Sequence, residues 1–289
     1  MKKIILVTES GSDLPSYYCD QYPIYIVPMH VVIEERAYDD GIDIQAEDVF
    51  NYYDSTKKLP TTSGSTPEDF TEIFDQINQK YSEVEIVYIA YSSVTTVSYN
   101  SARIAAEHYN NVYLVDSKNV SNGLASVVIA AAQYLESNPK ASAQDVVRFV
   151  EQIRGNVHFH FLPQTLTYLL AGGRVSNSSY LGAKLLRIFP SIDLVDGYLV
   201  AGKKYRGSFA RAYKKLIEDF FDRYDLIEGS VRLTEVEGLS REDKLSIEKI
   251  MKEYHPLKVE WVKAGAVISC HGGPGAFGIV GISKSDHQQ

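Results

Sequence analysis

The run Val84-Glu85-Ile86-Val87-Tyr88-Ile89-Ala90-Tyr91, then Ser92-Ser93-Val94-Thr95-Thr96-Val97, then a helical pattern from Ser98 to Tyr109, decides the fold. An apolar run of strand length is followed by a short polar junction and a helix. This βα unit recurs along the first half. Lys3 to Thr8 reads as a buried strand, with Pro15 where a first helical turn begins. Ile24 to Ile33 is β-rich, and Ala46 to Ser55 reads as a helix. Pro67 to Tyr81 reads as another, with Thr66 as N-cap, Asp69 in the first turn, and Phe70, Ile73, Phe74 and Ile77 on one face. Val112 to Val115 is a strand and Ser121 to Leu135 an apolar, alanine-rich helix. Repeated β-then-α order implies an α/β fold with a mostly parallel sheet and helices on both faces.

The second half changes character. After a helix from Ala143 to Arg154, short strands are expected at Val157–Leu162, Ile188–Leu194, Tyr198–Lys203, Ser230–Val236, Lys258–Val262, Val267–Cys270 and Phe277–Ile282. Asp196-Gly197 signals a hairpin. Helices at Gln164–Leu170, Ser208–Tyr224 and Arg241–Tyr254 interrupt the series. The pattern is that of an α+β domain. The expected division is 1–156 for an N-terminal α/β domain and 157–289 for a C-terminal α+β domain.

Composition narrows the function. The chain has 289 residues and a net charge of −8. General nucleic-acid binding is not expected, because phosphate contacts need a surplus of Lys and Arg on one face. Two cysteines, Cys19 and Cys270, form neither a CxxC pair nor a zinc pattern, and are expected as reduced thiols. The apolar run Ile4–Val7 is too short for a signal peptide, and no later run reaches the roughly 20 residues of a membrane span. A soluble, cytoplasmic, bacterial-type protein is expected, without stable membrane insertion. The sequon Asn177-Ser178-Ser179 carries no meaning in such a chain.

Five segments could carry chemistry. Thr61-Thr62-Ser63-Gly64-Ser65-Thr66-Pro67 places five hydroxyl residues before a helix whose free N–H groups attract an anion. The alternative is a capped helix after a polar loop. The Ser92–Val97 junction lies at the carboxyl edge of a parallel sheet, where ligands of open α/β sheets bind. Neither loop holds Lys or Arg, which favours a singly charged head group over a polyphosphate. Asp116 begins a third strand-to-helix junction, as a cap or as the orienter of a donor. Ala171-Gly172-Gly173-Arg174-Val175-Ser176 ends a helix, and Arg174 either meets helix carbonyls or reaches an anion. Ser269-Cys270-His271-Gly272-Gly273-Pro274-Gly275 lets backbone come close to a ligand beside one histidine. GxSxG and GxGxxG motifs are absent. His158-Phe159-His160 puts two imidazoles on one strand face without a third ligand, so no metal site is expected.

Taken in order, Thr8-Glu9-Ser10-Gly11-Ser12-Asp13-Leu14-Pro15, the Thr62–Pro67 loop, Ser92-Ser93 through Tyr99-Asn100-Ser101-Ala102, Asp116-Ser117-Lys118, Gly172-Gly173-Arg174 and His271-Gly272-Gly273-Pro274-Gly275 resemble the DegV family of bacterial fatty-acid-binding proteins. The resemblance spans nearly the whole chain. It implies a two-domain α/β protein holding one long-chain, palmitate-like fatty acid at the domain junction, with no other cofactor. It further implies a non-catalytic, acyl-carrying subunit of a fatty acid kinase, whose separate catalytic subunit uses ATP to form the acyl phosphate. On that resemblance Thr62 and Ser93 bind the carboxylate, and Ser63, Ser92, Arg174, His271 and Gly272 border the head group. The chain departs from the usual family pattern at Gly64-Ser65, where Gln-Pro is usual, and at Val97, where glycine is usual. The alternative is a stand-alone serine-type hydrolase or phosphotransferase with Ser93 as nucleophile and His271 as base.

Overall fold

The structure is a computed structural model that describes residues 2–175, 187–254 and 259–284. The sequon at 177–179, Ser176 and Lys258 lie outside the described residues.

In chain order the first elements are β1 (Lys3–Glu9), α1 (Ser16–Gln21), β2 (Ile24–Val27), β3 (His30–Ile33), β4 (Arg36–Asp39), α2 (Ala46–Thr56) and β5 (Thr61–Ser63). There follow α3 (Pro67–Lys80), β6 (Val84–Tyr91), α4 (Ser98–Ala106), β7 (Val112–Asn119), α5 (Ser121–Ser137) and α6 (Ala143–Ile153). The rest comprises β8 (Val157–Leu162), α7 (Thr167–Gly172), β9 (Ile188–Val195), β10 (Tyr198–Arg206), α8 (Phe209–Arg223), β11 (Arg232–Glu235), α9 (Arg241–Tyr254), β12 (Glu260–Lys263), α10 (Ala266–Gly272) and β13 (Phe277–Ile282).

The first sheet has the order β2-β1-β6-β7 and every pairing in it is parallel. Its two central strands are apolar on both faces, as a doubly covered parallel sheet requires. Ile5, Val7, Ile86 and Tyr88 pack with Phe70 and Phe74 of α3 and Ala102 of α4. Their neighbours Leu6, Val87 and Ile89 point the other way, onto Leu124 and Val128 of α5. A six-stranded, mostly antiparallel sheet, β10-β9-β8-β13-β11-β12, lies beyond α5. Residues 121–129 of α5 are all buried, and the same apolar core takes in Phe159, Phe161 and Val280 of the second sheet. An apolar helix without a polar face suits a position between two sheets.

Several expectations needed correction. Val267–Cys270, expected as a strand, lies in helix α10. A short apolar run does not distinguish the two by periodicity. The first N–H groups of this helix are satisfied by remote acids, described below. Thr61–Ser63, expected as loop, forms strand β5, which pairs with β3 through Val31↔Thr62. β3 also pairs with β4, which the sequence reading did not anticipate, giving a small sheet in the order β4-β3-β5. The β-rich stretch Ile24–Ile33 is two strands, interrupted at Pro28-Met29, where proline has no N–H for a ladder. α7 starts three residues later than the expected Gln164 and runs to Gly172, with Gly173 in the left-handed conformation as C-cap (φ 63°). Asp196 and Gly197, both at positive φ, turn β9 into β10 as expected of an Asp-Gly hairpin.

A candidate ligand cavity between the two sheets

Thr66 caps α3 as its sequence suggests. Its hydroxyl accepts from Asp69 N–H at 3.3 Å, and Asp69 accepts from Thr66 N–H at 2.7 Å. Asp69 also meets His30 Nε2 at 2.9 Å, which anchors the β5–α3 loop to β3. Thr62, held in β5 by its pairing with Val31, faces a cavity.

That cavity encloses about 800 Å³, including its open mouth. It is lined from both halves of the chain. Its wall is mostly apolar, with Met29, Val120, Phe159, Phe161, Leu169 and Ile192 among its members. An apolar lining broken by a few polar groups is the make-up of small-molecule sites. The polar groups that reach it are few: Thr62, Thr95, Thr96, Ser121, Arg174, Thr234, His271 and the phenol of Tyr91.

Four of the residues named from the sequence come together here. The Thr62 hydroxyl and His271 Nε2 share a hydrogen bond of 2.8 Å. His271 closes the last turn of α10, and its Nδ1 is buried without a partner. Burial, then the positive charge of Arg174, holds its pKa down at about 4, so the imidazole is neutral near pH 7. The ring lies against Gly172, where an added Cβ would sit 2.1 Å from Nδ1. Arg174 donates from Nη1 to the Gly172 carbonyl at 2.7 Å and is itself exposed at the mouth. Gly272 backs onto the Phe161 ring, 3.2 Å from where its Cβ would be.

The other three stand elsewhere. Ser93 donates from its hydroxyl to Asp116 Oδ2 at 2.6 Å and does not line the cavity. Ser92 is fully buried and donates to the Gly197 carbonyl at 2.8 Å, tying the β9–β10 turn to the first sheet. Ser63 donates to the Gly64 carbonyl at 3.1 Å and is exposed. Ser93 and His271 therefore bond different partners, and no nucleophile–base pair joins them. Asp116 orients its neighbours, accepting also from Lys118 N–H at 2.8 Å.

From the Ser92–Val97 junction it is Thr95 and Thr96 that line the cavity. The chain reverses there, with Thr95 N–H donating to the Ser92 carbonyl at 3.0 Å. That reversal carries the later hydroxyls towards the cavity and the earlier ones away. Thr96 and Ser98 hydroxyls lie 3.1 Å apart, and Ser98 accepts from Ser65 N–H at 3.0 Å, so the two hydroxyl loops meet. Gly64 allows it, since a Cβ there would fall 2.5 Å from both hydroxyl oxygens. Tyr91, at the head of that junction, also lines the cavity. Burial, then the charges of Asp13 and Glu9, pushes its phenol pKa upward, which keeps it a donor.

The paired histidines are occupied with neighbours. His160 bridges Asp193 at 2.8 Å and Tyr224 at 3.0 Å, while His158 stacks on Tyr224 and meets Ser283 at 3.0 Å. Among the described residues no cluster of three metal-ligating side chains occurs, and no helix is long and apolar enough to cross a membrane. Cys19 and Cys270 are free thiols.

Comparison with known proteins follows the whole chain. A family model described as "DegV: Uncharacterised protein, DegV family" matches residues 3–284. A DegV domain-containing protein of Deinococcus radiodurans is 28% identical over 281 residues, covering 96% of this chain and 97% of its own. A solved structure entitled "Fatty Acid Binding of a DegV family Protein from Thermus thermophilus" superposes with a TM-score of 0.86 at 26% identity, covering 98% of this chain and all of that one. A DegV lipid binding protein from Thermotoga maritima superposes with a TM-score of 0.81 at 25% identity, covering 98% of this chain and 100% of its own.

Proposed function

The chain belongs to the DegV family, and from that premise we propose that it binds one long-chain fatty acid in the cavity between its two sheets. The observation that carries the reading is a mostly apolar cavity whose wall is broken by a small cluster of neutral donors, Thr62, Thr96 and His271, beside one exposed arginine. A hydrocarbon tail gains roughly 0.8 kcal/mol per buried methylene, about 11 kcal/mol gross for about fourteen of them. Association offsets several kcal/mol of that. A carboxylate buried without partners would cost several more. Hydroxyl donors, one of them backed by the imidazole, remove that cost without a buried ion pair. The tail supplies affinity and the head group fixes direction.

In this reading Thr62 and Thr96 take the carboxylate, His271 orients Thr62, and Arg174 waits at the mouth. The role that the family resemblance gave to Ser93 passes to Thr96, since Thr96 lines the cavity while Ser93 braces the loop through Asp116. The division at 156/157 makes the cavity a junction site, with both domains lining it. The bound acid is then presented to a separate ATP-dependent kinase subunit that forms the acyl phosphate, and the chain itself catalyses nothing. The exposure of Arg174 supports this, because its guanidinium can pair with a phosphate as it arrives.

Solvent extraction of the purified protein followed by mass spectrometry is the direct test. A long-chain fatty acid at about one per chain is expected in the wild type, and a marked loss in the Thr62→Val, Thr96→Val double variant. Protein that carries no lipid and takes up none from palmitate would overturn the reading. Measured esterase activity, dependent on Ser93, would replace it.

A further inference from the structure

Helix α10 begins where two acids of the N-terminal half converge. Gly265 N–H donates to Asp13 Oδ1 at 2.8 Å, and Ala266 N–H donates to Asp40 Oδ1 at 2.8 Å. Val267 N–H reaches the same Asp40 oxygen at 3.4 Å. Both acids are buried, Asp40 to 3% exposure. Asp13 also accepts from the hydroxyl of Ser121, which opens α5 and lines the cavity. One acid side chain thus braces two helices that form the cavity wall. A Cβ on Gly265 would meet the Asp40 oxygens at 3.0 and 3.3 Å and Asp13 Oδ1 at 3.4 Å, so the fit admits only glycine without displacement.

A helix is ordinarily capped by its own N-cap side chain. Here the N-cap is Gly265, which has none. A local cap fixes only the helix, whereas a remote cap also fixes the helix's rotation against the rest of the molecule. That rotation matters because Val267, Ile268, His271 and Gly272 of α10 all line the cavity. At 100° per residue they form one face. His271 lies six residues beyond Gly265, about 9 Å along the axis. Turning the helix by about 20° would sweep an imidazole nitrogen by roughly 2 Å, enough to break the 2.8 Å contact with Thr62. Burying two acid side chains at one helix end is costly, and a plain structural cap does not call for it.

We propose that Asp40 and Asp13 are positioning residues for the head-group site, setting the rotation of α10 so that His271 meets Thr62 across the cavity. The role of His271 rests on the fatty-acid reading above; the positioning itself does not.

The test uses the full chain with histidine nitrogens labelled by ¹⁵N. Asp40→Ala is expected to shift the His271 imidazole resonances and to lower palmitate affinity tenfold or more. Asp40→Asn retains an acceptor oxygen and is expected to recover the resonances and to bind within about threefold of wild type. Gly265→Ala keeps both acids but crowds them by a few tenths of an ångström; it is expected to shift the His271 resonances less than Asp40→Ala does, and it carries the test alone if Asp40→Ala does not fold. Unshifted His271 resonances in folded Asp40→Ala and Gly265→Ala would overturn the assignment, as would unchanged palmitate affinity in a wild type that binds it. If wild type binds no palmitate yet Asp40→Ala shifts His271, the fatty-acid reading falls and the positioning role stands.

Discussion

Thr62 and His271 meet at 2.8 Å although 209 positions separate them in the chain. One sits on an edge strand of the small sheet and the other on the last turn of a two-turn helix. Their contact requires that both halves of the molecule hold their places, and it brings two polar side chains together in the cavity wall.

Gly172→Ala should break that contact without substituting either partner. The new Cβ would lie 2.1 Å from His271 Nδ1, so the imidazole must move. Gly172 is within α7 and its backbone accepts alanine. Stability should change by less than about 1 kcal/mol from the backbone effect, while palmitate affinity drops several-fold. Isothermal titration with palmitate, beside a thermal melt, separates the two effects. Affinity equal to wild type would mean that the Thr62–His271 contact is not part of ligand binding.

On the proposed reading, Arg174→Ala should leave fatty-acid retention near wild type and hinder phosphorylation by the proposed kinase subunit. The side chain is exposed and, among the described residues, it hydrogen-bonds the Gly172 carbonyl. Its charge matters once the anion gains phosphate, because charge-assisted bidentate contacts are strong. Lipid retention by mass spectrometry and acyl phosphate formation with the partner present are the two readouts. Equal loss of both would make Arg174 a structural residue.

Asp13 should make the fold less stable as pH rises. Burial, and behind it the charge of Asp40, raises its carboxyl from 3.8 to about 8. Between those values the native state holds a proton that the unfolded chain has released, so stability is full below about pH 4 and declines as pH climbs through 8. His271 acts in the opposite sense. Its pKa is lowered from 6.5 to about 4, so its contribution is present above pH 6.5 and lost as pH falls through 4. Asp13→Asn removes only the first effect. The denaturation midpoint of Asp13→Asn minus that of wild type should grow between pH 5 and 8.5; a flat difference would refute the assignment.

The β9–β10 hairpin is fastened to the first sheet at its tip. The Ser92 hydroxyl donates to the Gly197 carbonyl, and Lys118 pairs with Asp196. The exposed ion pair is worth less than about 1 kcal/mol. Gly197→Ala should be far more costly, since φ is 87° and the Cβ would fall 2.6 Å from Ser92 Oγ. A loss of about 2 kcal/mol is expected. Urea unfolding of Gly197→Ala and Lys118→Ala side by side checks the order, which reversal would disprove.

The local rules went far in this chain. Val84–Tyr91 had to be a buried strand because both of its faces are apolar, and the α3 cap was written in Thr66-Pro67-Glu68-Asp69. The Asp-Gly hairpin and the buried α5 were equally plain. These features depend on neighbours a few residues away, so sequence spacing displays them. The site was legible by region rather than by residue. Both hydroxyl loops, the Gly172-Gly173-Arg174 turn and His271 were all visible.

What sequence order did not determine was which hydroxyl of a run faces inward. The reversal at Ser92–Thr95 turns Thr96 towards the cavity and leaves Ser93 on Asp116. Nor did it determine the helical state of Val267–Cys270, in a helix whose first N–H groups, those of Ala266 and Val267, find their acceptor on Asp40, more than two hundred positions earlier. The strand state of Thr61–Ser63 likewise comes from its pairing with β3. Propensity and periodicity act over a turn or two of chain; a cap, a strand partner or a cavity wall supplied from the other half exists only once the halves have packed.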